Sequence, residues 1–445
     1  MNRQKHKILI ADHNLDLLRK IRNAPVAKQY HFEVAHDGIA CLTKIESFLP
    51  DLIILDAYLP KIHGIEILRK VKTDPRTKHV GVIFTCFYPL IQFYRPAIAL
   101  SVDFFLPKPY AISKLFSLCS QFFKGSLHPE PFHLPEELKD GEKSYYISKP
   151  RSLSNYLKFW GTRGSHPVSG PQYTHFGGNT TCLEIRNGSE MIIFDAGSGI
   201  RPLGNTLRNQ MPKEVHLLFS HTHIDHLSGF SFFDPIYDPN CHVHIWAPIG
   251  FEKDIKEIFT DMFAYAFFPV KLDEISASLT FRDIQEGVPF QIGSFTITAA
   301  YAFHPGSTLC YKIDDGKYKI GYATDNELFF GYHGDPKLIT KKSTHYAPYA
   351  ELVRFFKGVD LLIHEAQYTP TEYRTKVGWG HSSISNTAAF VKHAEVSDWI
   401  ITHHDPAHDD DALYHKVQLQ YDAAEDLQLP CRIRMAFDGL FLPFD

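Results

Sequence analysis

Short apolar runs alternate with amphipathic stretches along the first 125 residues of the chain. The apolar runs predict strands at residues 7–11, 31–35, 51–55 and 80–84, and a fifth run ends just before Lys108. Helical spacing of apolar residues between them predicts helices at residues 17–22 and 39–48. This alternation of strand and helix favours an α/β fold, with a parallel sheet covered by helices on both faces.

The pattern changes after residue 152, where strand-like runs dominate. Strands are predicted at residues 183–185, 191–194, 215–219, 242–246, 295–298, 319–323, 361–364 and 399–402. Helices are predicted between some of them, at residues 254–262 and 385–394. Two sheets packed face to face with helices outside, a layered αββα sandwich, fit this order.

Proline and charged residues crowd the stretch between the two patterns, including His128-Pro129-Glu130-Pro131. Such a composition is typical of a semi-extended linker. The sequence therefore predicts an N-terminal domain at residues 1–125, a linker at residues 126–152 and a C-terminal domain at residues 153–445. A length of 445 residues agrees with two or three domains.

Composition narrows the class of protein. Hydrophobic residues make up 44% of the chain and charged residues 22%, as in ordinary globular proteins. No apolar run approaches the ~20 residues that span a bilayer, and the polar start lacks the plan of a signal peptide. A cytoplasmic location without a membrane partner is the default expectation. The seven cysteines form no CxxC pair, which favours buried free thiols.

Charge and histidine are unevenly divided between the two parts. Residues 1–125 hold 18 Lys and Arg against 10 Asp and Glu, whereas the remainder holds 28 against 40. An acidic C-terminal part suits a long polyanion poorly, so nucleic acid is disfavoured as a partner. Sixteen of the 26 histidines lie at or after His216. Because histidine is the commonest metal ligand among side chains, metal chemistry is expected there.

Polar residues stand at the ends of the N-terminal strands. Asp12 follows the first, Asp56 follows the third, Thr85 ends the fourth and Lys108 follows the fifth apolar run. The carboxyl ends of parallel strands form the ligand crevice of an open α/β sheet. Two carboxylates, a hydroxyl and a lysine at that crevice could hold a phosphoryl group and a cation.

These residues resemble the receiver domain of bacterial response regulators, a flavodoxin-like (βα)5 fold, over about residues 5–124. The resemblance implies that Asp56 accepts a phosphoryl group from a sensor kinase, with Thr85 and Lys108 contacting it and Mg²⁺ bound nearby. Phe105 takes the place of the family's aromatic switch residue, and Gly64 fits its loop. His13, however, replaces the second acid that binds Mg²⁺ in the family, and imidazole suits that hard cation poorly. The alternative is a receiver-shaped docking or dimerisation domain, and a homodimer is compatible with either.

The strongest chemical signal is the segment Ser220-His221-Thr222-His223-Ile224-Asp225-His226, which follows a predicted buried strand. Four potential ligands within six residues cannot share one face of a strand or helix. They fit a loop that wraps around metal.

This segment resembles the metallo-β-lactamase superfamily, and the similarity extends over about residues 157–445. The resemblance implies one metal held by His221, His223 and His304, and a second metal held by Asp225, His226 and His403, with Asp325 bridging the two. It also implies that Asp195 supports the site from behind the ligands. Adjacent His404 is disfavoured as a ligand, because the family's ligand directly follows a threonine.

Histidine with carboxylate suits Zn²⁺, and also Mn²⁺ or Fe²⁺. Two such cations roughly 3.5–4 Å apart activate a water molecule and stabilise a reacting phosphoryl oxygen. Asp225 is expected to orient that water. The segments His364-Glu365-Ala366 and Gly380-His381-Ser382-Ser383 resemble the tRNase Z and phosphodiesterase branch. In that branch the glutamate holds the histidine, which acts as general acid on the leaving oxygen; these roles map to Glu365 and His381.

The sequence therefore predicts a binuclear metal phosphodiesterase. A tRNA-processing member needs a flexible basic arm, and none stands between Trp246 and Gly293. A small phosphodiester is expected instead, and the receiver resemblance makes a 3′,5′-cyclic nucleotide the leading substrate. The alternatives are a tRNase Z-like endoribonuclease, a small-ester or lactone hydrolase, and a non-catalytic signalling partner.

Overall fold

The chain divides into two compact units, residues 1–139 and 140–445, each described by itself below. The computed structural model describes residues 5–57, 59–87, 97, 100–108, 110–125, 155–250 and 252–444. The predicted linker at residues 126–152 lies outside these residues. Within the described ranges, no helix is long and apolar enough to cross a membrane.

The first unit contains a five-stranded parallel sheet in the order β2-β1-β3-β4-β5. Its strands are β1 (Lys7–Ala11), β2 (His31–Ala35), β3 (Leu52–Asp56), β4 (Gly81–Phe87) and β5 (Phe104–Lys108). Its helices are α1 (Leu15–Asn23), α2 (Gly38–Phe48), α3 (Gly64–Thr73) and α4 (Ile112–Phe123). The predicted strands and helices are confirmed, except that β4 continues two residues beyond Thr85.

Apolar residues of the central strands face both sides of this sheet. In β3, Ile53 and Leu55 enter one core while Leu52 and Ile54 enter the core on the opposite face. A strand buried on both faces needs an unbroken apolar run, which explains the sequence Leu52-Ile53-Ile54-Leu55. The α/β prediction for this unit is confirmed.

The second unit contains two seven-stranded sheets. The first has the order β11-β10-β9-β8-β7-β6-β19 and the second the order β12-β13-β14-β15-β16-β17-β18. The strands of the first are β6 (Asn155–Gly161), β7 (Cys182–Asn187), β8 (Glu190–Phe194), β9 (Glu214–Leu218), β10 (His242–Pro248), β11 (Ser278–Ile284) and β19 (Phe441–Pro443). Those of the second are β12 (Phe290–Ile292), β13 (Phe295–Tyr301), β14 (Leu309–Asp314), β15 (Lys319–Ala323), β16 (Leu361–Glu365), β17 (Asp398–Thr402) and β18 (Arg432–Met435).

Helices cover the outer faces of the two sheets. They are α5 (Ile200–Leu207), α6 (Ile224–Leu227), α7 (Ile255–Met262), α8 (Ala350–Phe355), α9 (Pro370–Tyr373), α10 (Ile384–Ala394) and α11 (Asp410–Leu427). Strand residues alternate between two cores: Phe194 and Leu218 pack between the sheets, whereas Ile193 and Leu217 pack against α5 and α7. The predicted αββα sandwich is confirmed.

Candidate metal centre

The histidine-rich segment leaves the sandwich where β9 ends. After Leu218 the chain turns through a loop that holds His221 and His223, and α6 then presents Asp225 and His226. The backbone N–H of His226 donates to the carbonyl of His223 at 3.0 Å, which closes the loop. The predicted wrapping loop is therefore present, with one turn of helix at its end.

Three histidines from two loops form the first group of potential ligands. Nδ1 of His223 lies 2.9 Å from Nε2 of His221 and 3.1 Å from Nε2 of His304. Three ring nitrogens converging on one point cannot all be satisfied by hydrogen bonds among themselves, whereas a shared metal ion would satisfy all three.

Asp225, His226 and His403 form the second group. The two Nε2 atoms lie 3.3 Å apart, and each lies 3.3 Å from Oδ2 of Asp225. Like the first group, these three residues offer ligand atoms within 4.8 Å of one another.

Asp325 lies between the two groups. Its Oδ2 is 3.2 Å from Nε2 of both His226 and His403, and its Oδ1 is 3.8 Å from Nε2 of both His221 and His304. Burial raises the pKa of the Asp325 carboxyl, but the surrounding imidazoles outweigh burial and hold the pKa well below its usual value. One oxygen faces each group, which is the arrangement that a bridging carboxylate requires.

Contacts behind the ligands orient the imidazole rings. Nδ1 of His226 lies 3.0 Å from Oδ2 of Asp195, Nδ1 of His403 lies 3.0 Å from Oε1 of Gln367, and Nδ1 of His304 lies 2.8 Å from the carbonyl oxygen of Gly380. Each of these oxygens accepts a hydrogen, so the Nδ1 atoms carry the proton and the Nε2 lone pairs face the centre. The residues fit divalent transition metals.

Asp195 is fixed in turn by its own donors. The backbone N–H and the hydroxyl of Ser220 donate to its carboxylate, and the hydroxyl of Tyr322 donates to Oδ2 at 2.7 Å. This places Asp195 where the sequence predicted it. The supporting residues Gln367, Ser220 and Tyr322 were not predicted.

Four non-glycine residues of the site have positive φ: Ser165 (61°), Asp195 (60°), Asp325 (46°) and His403 (56°). This left-handed conformation is costly for side chains with a Cβ and clusters at functional sites. Asp195 and His403 directly follow β8 and β17, and Asp325 lies two residues after the end of β15.

The segment around Ser165, to which the sequence assigned no role, borders the second group. The backbone N–H of Ser165 donates to Oδ2 of Asp225 at 2.6 Å. A Cβ on Gly164 would overlap the ring of His403, so a glycine is needed for this approach. Only its Gly and Ser composition could have indicated a tight turn there.

The predicted contact between Glu365 and His381 is wrong. Oε1 of Glu365 accepts from the backbone N–H of Ser382 at 2.6 Å, and Oε2 accepts from that of Gln367 at 2.7 Å. Burial raises the pKa of Glu365 to about 8, although the two backbone N–H donors lower it by stabilising the carboxylate. Glu365 therefore holds the backbone beside His381 rather than its ring.

The residue that caps the N-terminus of α10 is Ser383, whose hydroxyl accepts from the backbone N–H of Asn386. The hydroxyl of Ser382 donates instead to the carbonyl of Asn326 and accepts from the backbone N–H of Leu328. Ser382 thus joins the loop after Asp325 to the loop of His381.

His381 itself faces the two groups. Its Nδ1 lies 3.9 Å from Oδ1 of Asp325, and its ring stacks on His403 with centroids 5.2 Å apart. Burial lowers the pKa of His381 to about 3, although Asp325 opposes the shift, so the ring is neutral at pH 7. A nearby phosphate would favour the protonated ring, because an opposite charge raises the pKa of histidine.

In the first unit, the predicted receiver residues meet at one end of the sheet. Nζ of Lys108 lies 2.6 Å from Oδ2 of Asp12 and 3.0 Å from Oδ2 of Asp56, and all three residues are buried. Thr85 pairs with Asp56 across β3 and β4, and its buried hydroxyl has no hydrogen-bond partner among the residues that the structure describes. A Cβ on Gly64 would overlap the carbonyl of Asp56.

His13 occupies the position that distinguishes this site from other receivers. Its Nδ1 lies 3.2 Å from Oδ2 of Asp56 and 3.9 Å from Oδ1 of Asp12. An imidazole therefore contacts the carboxylate at the place where an acid would complete an oxygen site for Mg²⁺.

Comparison with known proteins assigns each unit. A family model for the beta-lactamase superfamily domain matches residues 190–404, and one for the response regulator receiver domain matches residues 8–120. The response regulator MprA of Mycobacterium avium is 26% identical over 111 residues, which are 25% of this chain and 48% of that protein. The chain thus spans about half the length of the curated relatives it matches.

Solved structures overlap the second unit. The metallo-β-lactamase fold protein YhfI from Bacillus subtilis is 17% identical, with a TM-score of 0.46 over 65% of this chain and 99% of that one. Unliganded yeast PDE1 is 14% identical, with a TM-score of 0.47 over 66% of this chain and 100% of that one. From the family matches and the two sheets described above, the chain combines a response regulator receiver domain with a metallo-β-lactamase-fold domain of the beta-lactamase superfamily.

Proposed function

We propose that the second unit is a binuclear metal hydrolase that cleaves a small phosphodiester, with a 3′,5′-cyclic nucleotide as its leading substrate. The observation that carries the proposal is the division of Asp325 between two groups of ligands, with Oδ1 facing one and Oδ2 facing the other. His221, His223 and His304 hold one metal in this proposal, and Asp225, His226 and His403 hold the other. Zn²⁺ fits these ligands, as do Mn²⁺ and Fe²⁺.

When bound, the two metals supply Lewis acidity and lower the pKa of water. The chain supplies position and proton transfer. Asp225 is held by the N–H of Ser165, and its Oδ2 is placed to accept a hydrogen from the attacking water and so orient that water toward phosphorus. Water forms the new P–O bond, the bond to the 3′ oxygen breaks, and the product is a phosphomonoester.

His381 acts on the departing oxygen in this proposal. Its buried ring lies beside Asp325, on a backbone that Glu365 holds at Ser382. An anionic substrate raises the pKa of the imidazole toward neutrality, and the imidazolium then donates its proton to the alkoxide.

The charge of residues 246–293 supports a small substrate over tRNA. Between Trp246 and Gly293 the chain has eight acidic and four basic residues. An RNA-binding arm would need the opposite balance, because neutralising phosphates drives such binding. The choice of a cyclic nucleotide as the substrate rests on the presence of a receiver domain in the same chain, because receiver domains occur in signalling proteins.

The first unit is proposed to receive a phosphoryl group on Asp56 from a sensor kinase. Lys108 and Thr85 contact the phosphoryl oxygens in this proposal, which the ion pair of Lys108 with Asp56 and the pairing of Thr85 with Asp56 across the strands support. We also propose that the two domains comprise residues 1–125 and 153–445, and that the chain forms a homodimer.

The test combines metal analysis with a hydrolysis panel on the full chain. We expect about two equivalents of transition metal per chain and turnover of a cyclic nucleotide and of bis(p-nitrophenyl) phosphate. A lactone, a thioester and precursor tRNA complete the panel. Asp325→Ala should lose metal and activity together. Efficient cleavage of precursor tRNA without turnover of any cyclic nucleotide would contradict the proposed substrate class. Full activity of Asp325→Ala would contradict the proposed metal site.

A further inference from the structure

Glu327 is a buried carboxylate for which the proposed mechanism has no use. It follows Asp325 by two residues and is 3% exposed. It belongs to neither of the two groups of potential ligands described above. A buried carboxylate is costly unless hydrogen bonds satisfy it, so its partners indicate its purpose.

Its donors come from the loop that leads into His381. Oε1 accepts from the backbone N–H of Gly378 at 2.9 Å and from the hydroxyl of Tyr373 at 2.7 Å. Oε2 accepts from the backbone N–H of Gly380 at 2.9 Å and from that of Gly378 at 3.1 Å. One carboxylate therefore fixes the backbone on both sides of Trp379.

That loop touches the metal centre at two points. The carbonyl of Gly380 accepts from Nδ1 of His304, which turns Nε2 of that ring toward its group. The next residue along the chain is His381. The N–H of Glu327 also donates to the carbonyl of Phe303 at 2.7 Å, which ties the loops of Asp325 and His304 together.

We infer that Glu327 is a positioning residue, which sets the orientation of the ligand His304 and the place of His381 through the backbone of Gly380. The inference rests on the metal centre proposed above. Residues that orient ligands from behind commonly change metal affinity about 10–100-fold when they are replaced. A charged acceptor of several N–H donors also makes stronger hydrogen bonds than a neutral one.

The experiment measures metal binding to the full-length apoprotein, without substrate, by calorimetry and by the visible absorption of bound Co²⁺. Glu327→Gln replaces an acceptor oxygen with an NH₂ group that faces backbone N–H groups. We expect the affinity of one of the two sites to fall about 10–100-fold, together with an altered Co²⁺ spectrum. A role in folding alone would lower the melting temperature and leave that spectrum unchanged.

The matched control is Glu372→Gln. Glu372 accepts from the backbone N–H of Thr369 and contacts His408. Within the described residues no hydrogen bond joins its carboxylate to Gly378 or Gly380. Its replacement should leave the metal affinities and the Co²⁺ spectrum at wild-type values. A shift equal to that of Glu327→Gln would overturn the inference, because it would show a general response to lost charge.

If Glu327→Gln fails to fold, Tyr373→Phe tests the positioning role of Glu327 instead. It removes the hydroxyl that donates to Oε1, and with it the acceptor of the backbone N–H of Gly331. Because both N–H donors to Glu327 remain, it should lower the affinity of the same site by a smaller factor. Wild-type affinity and spectrum in every folded variant overturn the inference. A wild-type protein that binds metal yet cleaves no phosphodiester contradicts the proposed function and leaves the role of Glu327 standing.

Discussion

At the scale of the residue, the side chains that converge at the candidate metal centre and the supporting Asp195 were predictable, whereas the supports Gln367, Ser220 and Tyr322 were not. His221 and Asp325 can be identified from the sequence because only a few residue types, histidine and aspartate among them, can bind a metal at the family's ligand positions. Glu365 acts through the backbone N–H of Ser382, and Glu327 through that of Gly380. Any residue can supply a backbone N–H, so such contacts leave no residue type in the sequence from which to infer them.

The role of His381 is the prediction that belongs to this scale. His381→Ala should retain its metals and its melting temperature, because no hydrogen bond involves Nδ1 of this ring within the described part of the chain. Turnover should fall about 10²–10⁴-fold for a substrate whose alkoxide must be protonated as it leaves. With p-nitrophenolate, which departs without a proton, the fall should be much smaller.

The measurement is the turnover number of the wild type and of His381→Ala with both substrates, determined by steady-state kinetics across a pH series. Because burial lowers the pKa of His381 to about 3 in the free enzyme, we expect protonation of the ring to follow substrate binding and to be seen in the pH dependence of kcat rather than of kcat/KM. Equal losses on the two substrates would leave His381 a binding residue and remove its proton transfer.

At the scale of the element, apolar periodicity predicted most of the architecture. The apolar run at residues 361–363 forms a strand whose residues are buried on both faces, as a continuous apolar run in a covered sheet predicts. In the run at residues 215–219, His216 is only partly buried. The ends of the elements were less predictable. β4 passes Thr85 because Cys86 and Phe87 still pair with β5, and α10 begins after Ser383 because the hydroxyl of Ser383 accepts from the backbone N–H of Asn386.

Alanine substitutions at two glycines with positive φ can distinguish the effect of backbone strain on stability from an effect on the metal centre. Gly380 has φ 84° and Gly188 has φ 61°, so a Cβ strains the backbone at both positions. At Gly380 the Cβ would also overlap Nδ1 of His304, whereas at Gly188, between β7 and β8, it would meet nothing within 4 Å. Both alanine variants should lose about 1–2 kcal/mol of unfolding free energy.

Gly380→Ala should in addition lose metal, because His304 cannot keep its place. Thermal unfolding of the apoproteins and metal titration of each variant give the two quantities separately. Metal binding at wild-type strength in Gly380→Ala would show that the loop yields to the Cβ, and that His304 does not depend on it.

At the scale of the whole molecule, the sequence predicted two units of different chemistry. Its uneven charge and histidine content already separated them, and the family matches at residues 8–120 and 190–404 agree. Whether the first unit takes up a phosphoryl group depends on one position. His13 lies against Asp56 where receivers usually have an acid for Mg²⁺, a cation that takes oxygen ligands and accepts imidazole poorly.

We expect the full-length His13→Asp variant to be phosphorylated more extensively than the wild type by a small-molecule phosphodonor, with a steeper dependence on Mg²⁺. The added carboxylate joins Asp12 and Asp56 in an oxygen site for the cation, whose charge offsets that of the incoming phosphoryl group. Intact-mass spectrometry of the chain at several Mg²⁺ concentrations measures the phosphorylated fraction. Asp56→Asn in both backgrounds is the control and should abolish the signal. If the wild type and His13→Asp respond to Mg²⁺ alike, His13 does not limit the cation site, and the receiver takes up its phosphoryl group despite the imidazole.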